Sequence, residues 1–292
     1  MYHKTIPYRI FSIFNHAGLL VISLLCVLPL LHVLAVSFSA KSAADANLVA
    51  FWPIDFTTEA YKKTIDNPAF LKSIAVSVMR TVIGTAITLF LAFLAAYPLS
   101  RENTQFKGRN VYSWIFVFAM VFNGGLVPFY IVIQKLGLMG SFWALVLPGA
   151  VNIYLTILMM NFFRGIPKEL EEAALIDGAG HFRTLFSIFL PVSKPAIATL
   201  SLFSIVFHWN SWFDGLLYTT SPDQYPLASF LQTVIIQRDM STISLDPKTM
   251  ELISQKTVNA AQIFIGALPV LLIYPFLQKY FVKGLVVGSV KE

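Results

Sequence analysis

Residues 81–100 read TVIGTAITLFLAFLAAYPLS, a run of 20 residues without a single Asp, Glu, Lys or Arg. A helix of about 20 apolar residues crosses the roughly 30 Å hydrocarbon core of a bilayer. Lipid offers the backbone no hydrogen-bond partners, so such a segment has to pair its peptide groups internally. The run is therefore predicted to be a transmembrane helix.

Five further runs of this kind indicate that the chain crosses the membrane six times. They are too apolar for the alternating strands of a membrane barrel. We expect an all-α polytopic membrane protein with six transmembrane helices, folded as one transmembrane domain over residues 1–292. The third and fourth spans are expected to form a hairpin with a short turn near Gly137 and Gly140. The expected spans are about 17–39, 76–100, 111–134, 138–163, 195–217 and 257–279.

Composition supports the membrane interpretation. Hydrophobic residues make up 57% of the chain, charged residues only 12%, and the mean hydropathy is +0.70. Soluble domains carry about 25% charged residues, so too few charges are present here to cover a water-facing surface. The net charge of +6 is spread thinly and forms no basic stripe of the kind that binds nucleic acid. We therefore interpret the positive charges as residues that orient the chain in the membrane. Cys26 is the single cysteine and cannot form an internal disulfide.

Lysine and arginine are more frequent in cytoplasmic loops than in outer ones. With the N-terminus inside, the inner segments hold 12 of the 21 Lys and Arg residues and the outer segments 8, while Arg80 begins a span. Both termini are then predicted to be cytoplasmic. The long segments 41–72 and 220–258 are predicted to be extracellular loops. The first apolar run exceeds the 7–15 residues of a signal peptide, which favours an uncleaved span.

The inner segment 164–194 carries the most informative pattern. Pro167 suits a first helical turn, and Glu169, Glu171 and Glu172 are favoured there by the helix dipole. Gly178 and Gly180 are expected to end this helix. A second amphipathic helix is then predicted to lead to Pro191, so that the segment forms a compact helix–turn–helix at the cytoplasmic mouth.

This segment resembles the "EAA" loop, the signature of permease subunits of ATP-binding-cassette importers. The match consists of Glu172-Ala173-Ala174, Asp177-Gly178 and Ile188-Phe-Leu-Pro191. The resemblance extends along the chain, since the six spans and the tail Lys283–Glu292 are similar to the second permease of maltose-type carbohydrate importers. Residues 122–130, FNGGLVPFY, are similar to a subgroup of permeases for complex plant or algal oligosaccharides.

The resemblance implies partners and a mechanism. Such a permease pairs with a second, different permease subunit in the bacterial plasma membrane, above two ATPase subunits. An extracellular solute-binding protein delivers the sugar. ATP closes the ATPase dimer and turns the permeases outward, and hydrolysis resets them. The implied ATPase-coupling residues, with Glu172 as the salt-bridge partner of an ATPase arginine, are Glu172, Ala173, Ala174, Asp177, Gly178, Leu190 and Pro191.

The chain contains no G-x-x-x-x-G-K-[ST] phosphate loop. It is therefore not expected to be an enzyme or to bind a cofactor itself, and ATP and Mg are expected on the partner ATPase subunits. No catalytic residue and no metal site is predicted.

Polar and aromatic residues near the end of span five are candidates for the substrate path. Indole rings can stack on the CH faces of sugars, and amide or carboxylate groups can bind hydroxyls, but tryptophan near a membrane boundary also anchors the interface. Both interpretations stay open here. The candidates are Trp209, Asn210, Trp212 and Asp214 at this end of span five, and Asn123 beside two glycines in span three.

Four further polar residues lie in or near the spans. Arg80 is expected to extend to the lipid headgroups, with contact to an acidic sugar as the alternative. Asn152 is expected to hydrogen-bond between helices. His32 and His208 are expected to be packed or hydrogen-bonded and not to bind a metal.

Other transporter classes fit less well. A proton- or sodium-coupled transporter would need a mid-span carboxylate or paired broken helices, whereas Asp214 lies at the end of its span. An importer of an amino acid or a phosphorus compound stays open, because the EAA loop alone does not identify the solute. The expected cargo is a complex oligosaccharide, which includes acidic pectin or alginate fragments.

Overall fold

The computed structural model describes residues 5–102, 105–241 and 255–289, and all regular elements within these ranges are helical. The all-α prediction is thus confirmed. Outside the described residues lie parts of the segment between the second and third predicted spans, of the predicted loop 220–258 and of both predicted cytoplasmic termini. Two compact units make up the chain: residues 1–70 with 231–268, and residues 71–230 with 269–292.

The first unit begins with α1 (Ile6–Ser37), followed by the short helices α2 (Lys41–Asp45) and α3 (Glu59–Ile65). Most side chains of α1 are exposed and apolar, as expected for a surface that faces lipid or another membrane subunit. The last turn of α1 is buried and packs with α2, with Val49 and with Ala260.

Helix α4 (Pro68–Ser100) contains the charge-free run of residues 81–100 and is the long central helix of the second unit. Asn67 caps its start, because its side-chain oxygen accepts hydrogen bonds from the backbone amides of Ala69 at 3.0 Å and Phe70 at 3.3 Å. The helix ends at Ser100, and Arg101 follows it directly.

The segment predicted as span 111–134 consists of two helices, α5 (Arg109–Val121) and α6 (Leu126–Lys135), which meet at an angle of 112°. Phe122 is extended at the end of α5. The side-chain oxygen of Asn123 accepts a hydrogen bond from the amide of Gly125 at 2.9 Å, which stabilises this break.

Two short 3₁₀ turns, Phe142–Leu145 and Leu147–Gly149, precede α7 (Ile153–Arg164) and make an angle of 45° with it. Asn152 caps α7, since its side-chain oxygen accepts from the amide of Leu155 at 3.1 Å. The expected role of Asn152 in an interhelix hydrogen bond is therefore wrong, because the residue satisfies a free amide of its own helix end.

The remaining elements follow in chain order. They are α8 (Lys168–Ile176), α9 (His181–Thr184), a π-helical segment Leu185–Phe189, α10 (Leu190–Val192), α11 (Lys194–Asn210), α12 (Phe213–Tyr218), the 3₁₀ turn Pro222–Gln224, α13 (Leu227–Ser241) and α14 (Lys256–Ser289).

Among the described residues, three helices are long and apolar enough to cross a membrane, and the number rises to six if each of three bent pairs is one span. The third bent pair joins residues 181–192 to α11 at 85°. A buried apolar cluster connects the end of α4 to α7, to the π-helical segment and to α11. Ile166, two residues before the start of the short helix α8, belongs to this cluster.

Candidate functional site

Helix α8 forms where the sequence predicts it and for the predicted reasons. Pro167 precedes it, Glu169 and Glu171 lie in its first turn, and Asp177 ends it. Gly178 has φ +75°, a conformation that side chains disfavour, and the amide of Ala179 donates to the carbonyl of Ala174 at 2.9 Å. The result is a short helix with a fixed end.

The two faces of α8 differ in burial. Glu171 is 7% exposed and Ala174 is 4% exposed, so these residues face the rest of the chain. Glu172, Ala173 and Asp177 are exposed to the outside. The alanine pair of the motif is therefore divided, with Ala174 packed inside and Ala173 on the surface.

Glu171 forms an ion pair with Arg101, which the sequence analysis missed. The guanidinium carbon of Arg101 lies 4.2 Å from the centre of the Tyr97 ring and 4.6 Å from the centre of the Phe189 ring. Arginine is attracted to aromatic faces at such distances. We call Tyr97, Arg101, Glu171 and Phe189 the Arg101 site.

Aromatic packing supports the Arg101 site from behind. Tyr97 makes edge-to-face contacts with Phe163 at 6.5 Å and with Phe189 at 5.2 Å between ring centres. Phe163 and Phe189 contact each other in the same way at 5.4 Å. These rings come from α4, α7 and the π-helical segment, so three elements determine the position of the arginine.

Charged and polar contacts surround the Arg101 site. Lys168 pairs with Glu102 at the surface, and this pair lowers the pKa of Glu102 and raises the pKa of Lys168. Arg164 donates to the carbonyl of Leu99 at 3.3 Å, and Arg109 donates to the carbonyl of Arg101 at 2.9 Å. Burial lowers the pKa of Arg101, chiefly by removing water from its charge. The Lys168–Glu102 and Glu171–Arg101 pairs connect α8 to the residues that follow α4, while Arg164 and Arg109 connect α7 and α5 to the same segment.

The outward surface of α8 is partly apolar. Ile176 is 86% exposed and Phe182, in α9, is 72% exposed. A cavity of about 640 Å³ lies beneath this surface, lined largely by apolar side chains and by Arg101 and Glu171. Exposed apolar residues beside the acidic Glu172 are typical of a surface that binds another protein.

Leu190 and Pro191 lie at the exit from this segment. Leu190 packs against the buried apolar cluster formed by α4, α7, the π-helical segment and α11, while Pro191 is exposed. Ser193 is buried, and its hydroxyl donates to the carbonyl of Phe189 at 2.6 Å. The chain then turns into α11, and whether Leu190 and Pro191 take part in coupling stays a prediction.

A second charged site lies further back along α4. Arg80 is 1% exposed and forms an ion pair with Asp214 in α12. Its Nη1 donates to the backbone carbonyl of Ser211 at 3.1 Å. The expectation that Arg80 extends to lipid headgroups is wrong, because Asp214 and the carbonyl of Ser211 provide partners inside the protein. We call Arg80, Ser211 and Asp214 the Arg80 site.

His208 lies between these two sites and is packed, as expected. It is 1% exposed, and its Nε2 is 3.3 Å from the hydroxyl of Thr88. A Cβ atom on Gly84 would lie 2.6 Å from the imidazole ring, so α4 can approach α11 this closely only where it has a glycine. The close approach places the two helices in direct contact.

The predicted path residues lie at two different breaks. Four of them, Trp209, Asn210, Trp212 and Asp214, surround the break between α11 and α12. Trp209 is buried, Asn210 is exposed, and Trp212 is 40% exposed. Asn123 is exposed at the break between α5 and α6. Whether these residues contact solute stays a prediction.

Comparisons with known proteins identify relatives along nearly the whole chain. Residues 89–287 match the family model described as "Binding-protein-dependent transport system inner membrane component". Protein LplC of Bacillus subtilis (strain 168) is 40% identical over 289 residues, which cover 99% of this chain and 97% of LplC.

Two further similarities concern proteins of polysaccharide uptake. The polygalacturonan/rhamnogalacturonan transport system permease protein YtcP of Bacillus subtilis (strain 168) is 40% identical over 97% of this chain and 99% of its own length. A chain in the crystal structure of a bacterial ABC transporter involved in the import of the acidic polysaccharide alginate superposes with a TM-score of 0.85. It has 30% sequence identity and covers 95% of this chain and 98% of that chain.

Proposed function

Since the chain belongs to the family of binding-protein-dependent transport system inner membrane components, we propose that its cargo is a complex oligosaccharide. An extracellular binding protein would deliver this cargo, and separate ATPase subunits would drive its import. The chain itself is a permease subunit and not an enzyme. It works in the inner membrane with other permease, ATPase and binding-protein subunits.

The observation that carries the coupling proposal is the division of acidic residues on α8. Glu171 is turned inward and paired with Arg101, while Glu172 is exposed beside Ala173. An exposed carboxylate on a short helix held by buried contacts can pair with an arginine of another subunit. The helix then moves as a rigid body with that subunit, so Glu172 would receive force from the ATPase.

Relatives support an oligosaccharide as the cargo. YtcP is named for polygalacturonan and rhamnogalacturonan, and the structurally similar transporter imports alginate. All of these are chains of sugars. We propose that the cargo is a fragment of such a polysaccharide. Uptake of an acidic and a neutral form of one oligosaccharide tests whether the acid groups matter.

Orientation and nucleotide binding belong to the same proposal. We propose that both termini and α8 lie in the cytoplasm, where the ATPase subunits would bind ATP and Mg. The excess of Lys and Arg in the segments on that side supports this orientation. Cysteine labelling from outside intact cells tests it, because Trp52→Cys in loop 41–72 should react and Asp177→Cys in α8 should not.

A charge reversal tests the coupling. Glu172→Lys in the assembled transporter should abolish most ATP-driven uptake, because it places like charges at the ATPase arginine, while assembly is partly retained. Glu169→Lys is the matched control, since Glu169 is an exposed acid on the same helix. It should retain uptake. Wild-type uptake by the Glu172→Lys transporter would contradict the coupling role of Glu172.

A further inference from the structure

The break between α11 and α12 leaves backbone groups that need partners. Helix α11 ends at Asn210 and α12 begins at Phe213, so the carbonyl of Ser211 falls outside both helices, while the carbonyl of Trp212 begins α12 by accepting from the amide of Leu216 at 3.3 Å. Inside a membrane such groups have to be satisfied by other parts of the protein. Ser229 donates to the carbonyl of Trp212 at 2.7 Å, and Arg80 donates to the carbonyl of Ser211.

Arg80 connects the two helix ends that meet at the break. Its Nη1 donates at 3.1 Å to Ser211, after the last turn of α11, and at 3.2 Å to the carboxylate of Asp214, in the first turn of α12. Asp214 also accepts from the amide of Gly215 at 2.9 Å. The planar guanidinium group of arginine can make both contacts in fixed directions, whereas the ammonium group on the flexible side chain of a lysine cannot. The shape of the break thus depends on Arg80.

The side chains on the outer surface of the break are different in kind. Trp212 is 40% exposed and Phe213 is 48% exposed, and their rings meet edge to face at 5.6 Å between centres. Asn210 is exposed beside them. The exposed part therefore combines aromatic faces and an amide, and the described charges at this break, Arg80 and Asp214, are paired behind it.

The position of the break along the molecule matches the side on which solute is captured. Arg80 and Arg101 are both on or directly after α4, and a helix rises about 1.5 Å per residue. Their separation along α4 is therefore roughly 30 Å, close to the thickness of the hydrocarbon core. If α8 faces the cytoplasm, the break lies at the opposite membrane boundary.

We propose that Asn210 and Trp212 form a contact surface for the sugar rings of the solute, and that Arg80 is a positioning residue that holds this surface in shape. The inference rests on the proposed function, since it takes the solute to be an oligosaccharide. Sugar rings would stack on Trp212 through their CH faces and hydrogen-bond to Asn210. Because the charge of Arg80 is neutralised by Asp214, this surface selects sugars by shape and not by acidity.

The test uses the complete transporter with its binding protein and two probes, trigalacturonate and its neutral methyl ester. Trp212→Ala should raise the KM for uptake about tenfold, the equivalent of one lost stacking contact, whereas Trp212→Phe should raise it much less. Both probes should respond alike. An unchanged KM in Trp212→Ala would overturn the contact surface.

The positioning role is tested with a double variant that removes both charges, Arg80→Met with Asp214→Leu. The double variant should raise KM for both probes by a similar factor. Its rate of ATP hydrolysis at saturating ATP should stay nearly unchanged. Arg80→Lys is the conservative variant and should raise KM by less. A rise in KM for trigalacturonate alone would overturn the proposal, because Arg80 would then read acid charge. If the double variant does not assemble, Arg80→Lys decides the positioning role, and an unchanged KM in Arg80→Lys would overturn it.

The proposed function fails separately from this inference. If the unaltered transporter takes up neither probe in an ATP-dependent manner, an oligogalacturonide is contradicted as the cargo. If it takes up the probes and Trp212→Ala does so with the same KM, only the contact surface is contradicted.

Discussion

The Arg80 site and the Arg101 site show two ways to keep an arginine charge inside a membrane protein. Arg80 is neutralised by Asp214, and its Nη1 also donates to the backbone carbonyl of Ser211. Arg101 is neutralised by Glu171 but lies between the faces of Tyr97 and Phe189. The first arrangement connects two ends of a broken helix, and the second connects a surface helix to a buried aromatic cluster. The difference is that polar groups determine the geometry of Arg80, while packing determines that of Arg101.

This difference predicts different responses to mutation. A hydrogen-bonded ion pair loses most when one partner is removed, because the other charge stays buried without compensation. A cation held on aromatic rings also depends on the rings themselves. Five expected outcomes are given below, from the largest effect to the smallest.

Removal of Arg80 alone should have the largest effect. Arg80→Ala leaves the Asp214 carboxylate without its cation and the carbonyl of Ser211 without its donor, and we expect a loss of about 3 kcal/mol or more in stability. Thermal unfolding of the purified transporter in detergent would measure it. Arg80→Ala combined with Asp214→Ala should recover much of the loss, and a double variant as unstable as the single one would show that the ion pair is not the cause.

Removal of Arg101 should come next and should also affect coupling. Arg101→Ala leaves Glu171 buried without its cation, so we expect α8 to loosen from α4 and stability to fall by about 2–3 kcal/mol. The loss is expected to be smaller than for Arg80, whose removal also leaves the carbonyl of Ser211 without its donor. The ratio of ATP hydrolysed to solute taken up should rise.

An exchange of the two charges separates the ion pair from the aromatic contacts. Arg101→Glu combined with Glu171→Arg restores the pair but places a carboxylate against the ring faces, so it should rescue only part of the loss. Complete rescue would contradict a role for the rings. The same exchange at Arg80 and Asp214 should not rescue at all, because a carboxylate at position 80 would face the carbonyl of Ser211.

Tyr97 provides a smaller and more selective change. Tyr97→Leu removes one of the two rings beside Arg101, and we expect a loss of about 1 kcal/mol from the cation–π and edge-to-face contacts. Tyr97→Phe keeps the ring and should be close to the wild type. Unfolding curves of both variants would measure the difference, and equal losses would assign the effect to the hydroxyl group instead.

The surface pair of Lys168 and Glu102 should have the smallest effect. Both side chains are exposed, at 71% and 59%, and water screens such pairs strongly. Because the pKa of Glu102 is lowered in the folded protein, its contribution is present above the unfolded pKa of about 4.3 and is lost as pH falls through the folded value. The pKa of Lys168 is raised by ionised Glu102, so its contribution is present below the unfolded lysine pKa of about 10.4 while Glu102 is charged, and is lost as pH rises through the folded value.

Glu102→Gln should therefore leave uptake at neutral pH unchanged and remove only a small acid-dependent part of the stability. Unfolding measured between pH 3 and pH 7 (roughly the range of carboxyl titration) would show it. A large loss of uptake in Glu102→Gln would mean that the surface pair, and not Arg101, holds α8 in place.

Much of this molecule was predictable from local patterns. Charge-free runs predicted helices in the membrane, and the acidic first turn and Gly178 predicted both ends of α8. The EAA resemblance predicted the family. These features depend on residues within a few turns of each other, where hydropathy and the helix dipole act directly.

The pairing of charges was decided only by the tertiary structure. Arg80 and Asp214 are 134 positions apart, and nothing local to Arg80 indicates a partner inside the protein. In the same way, only the packing of α8 against α4 decides that Glu171 turns inward and Glu172 outward. A buried charge has to find an opposite charge wherever the fold brings one, and this requirement acts through space, whereas hydropathy and helix ends are properties of neighbouring residues.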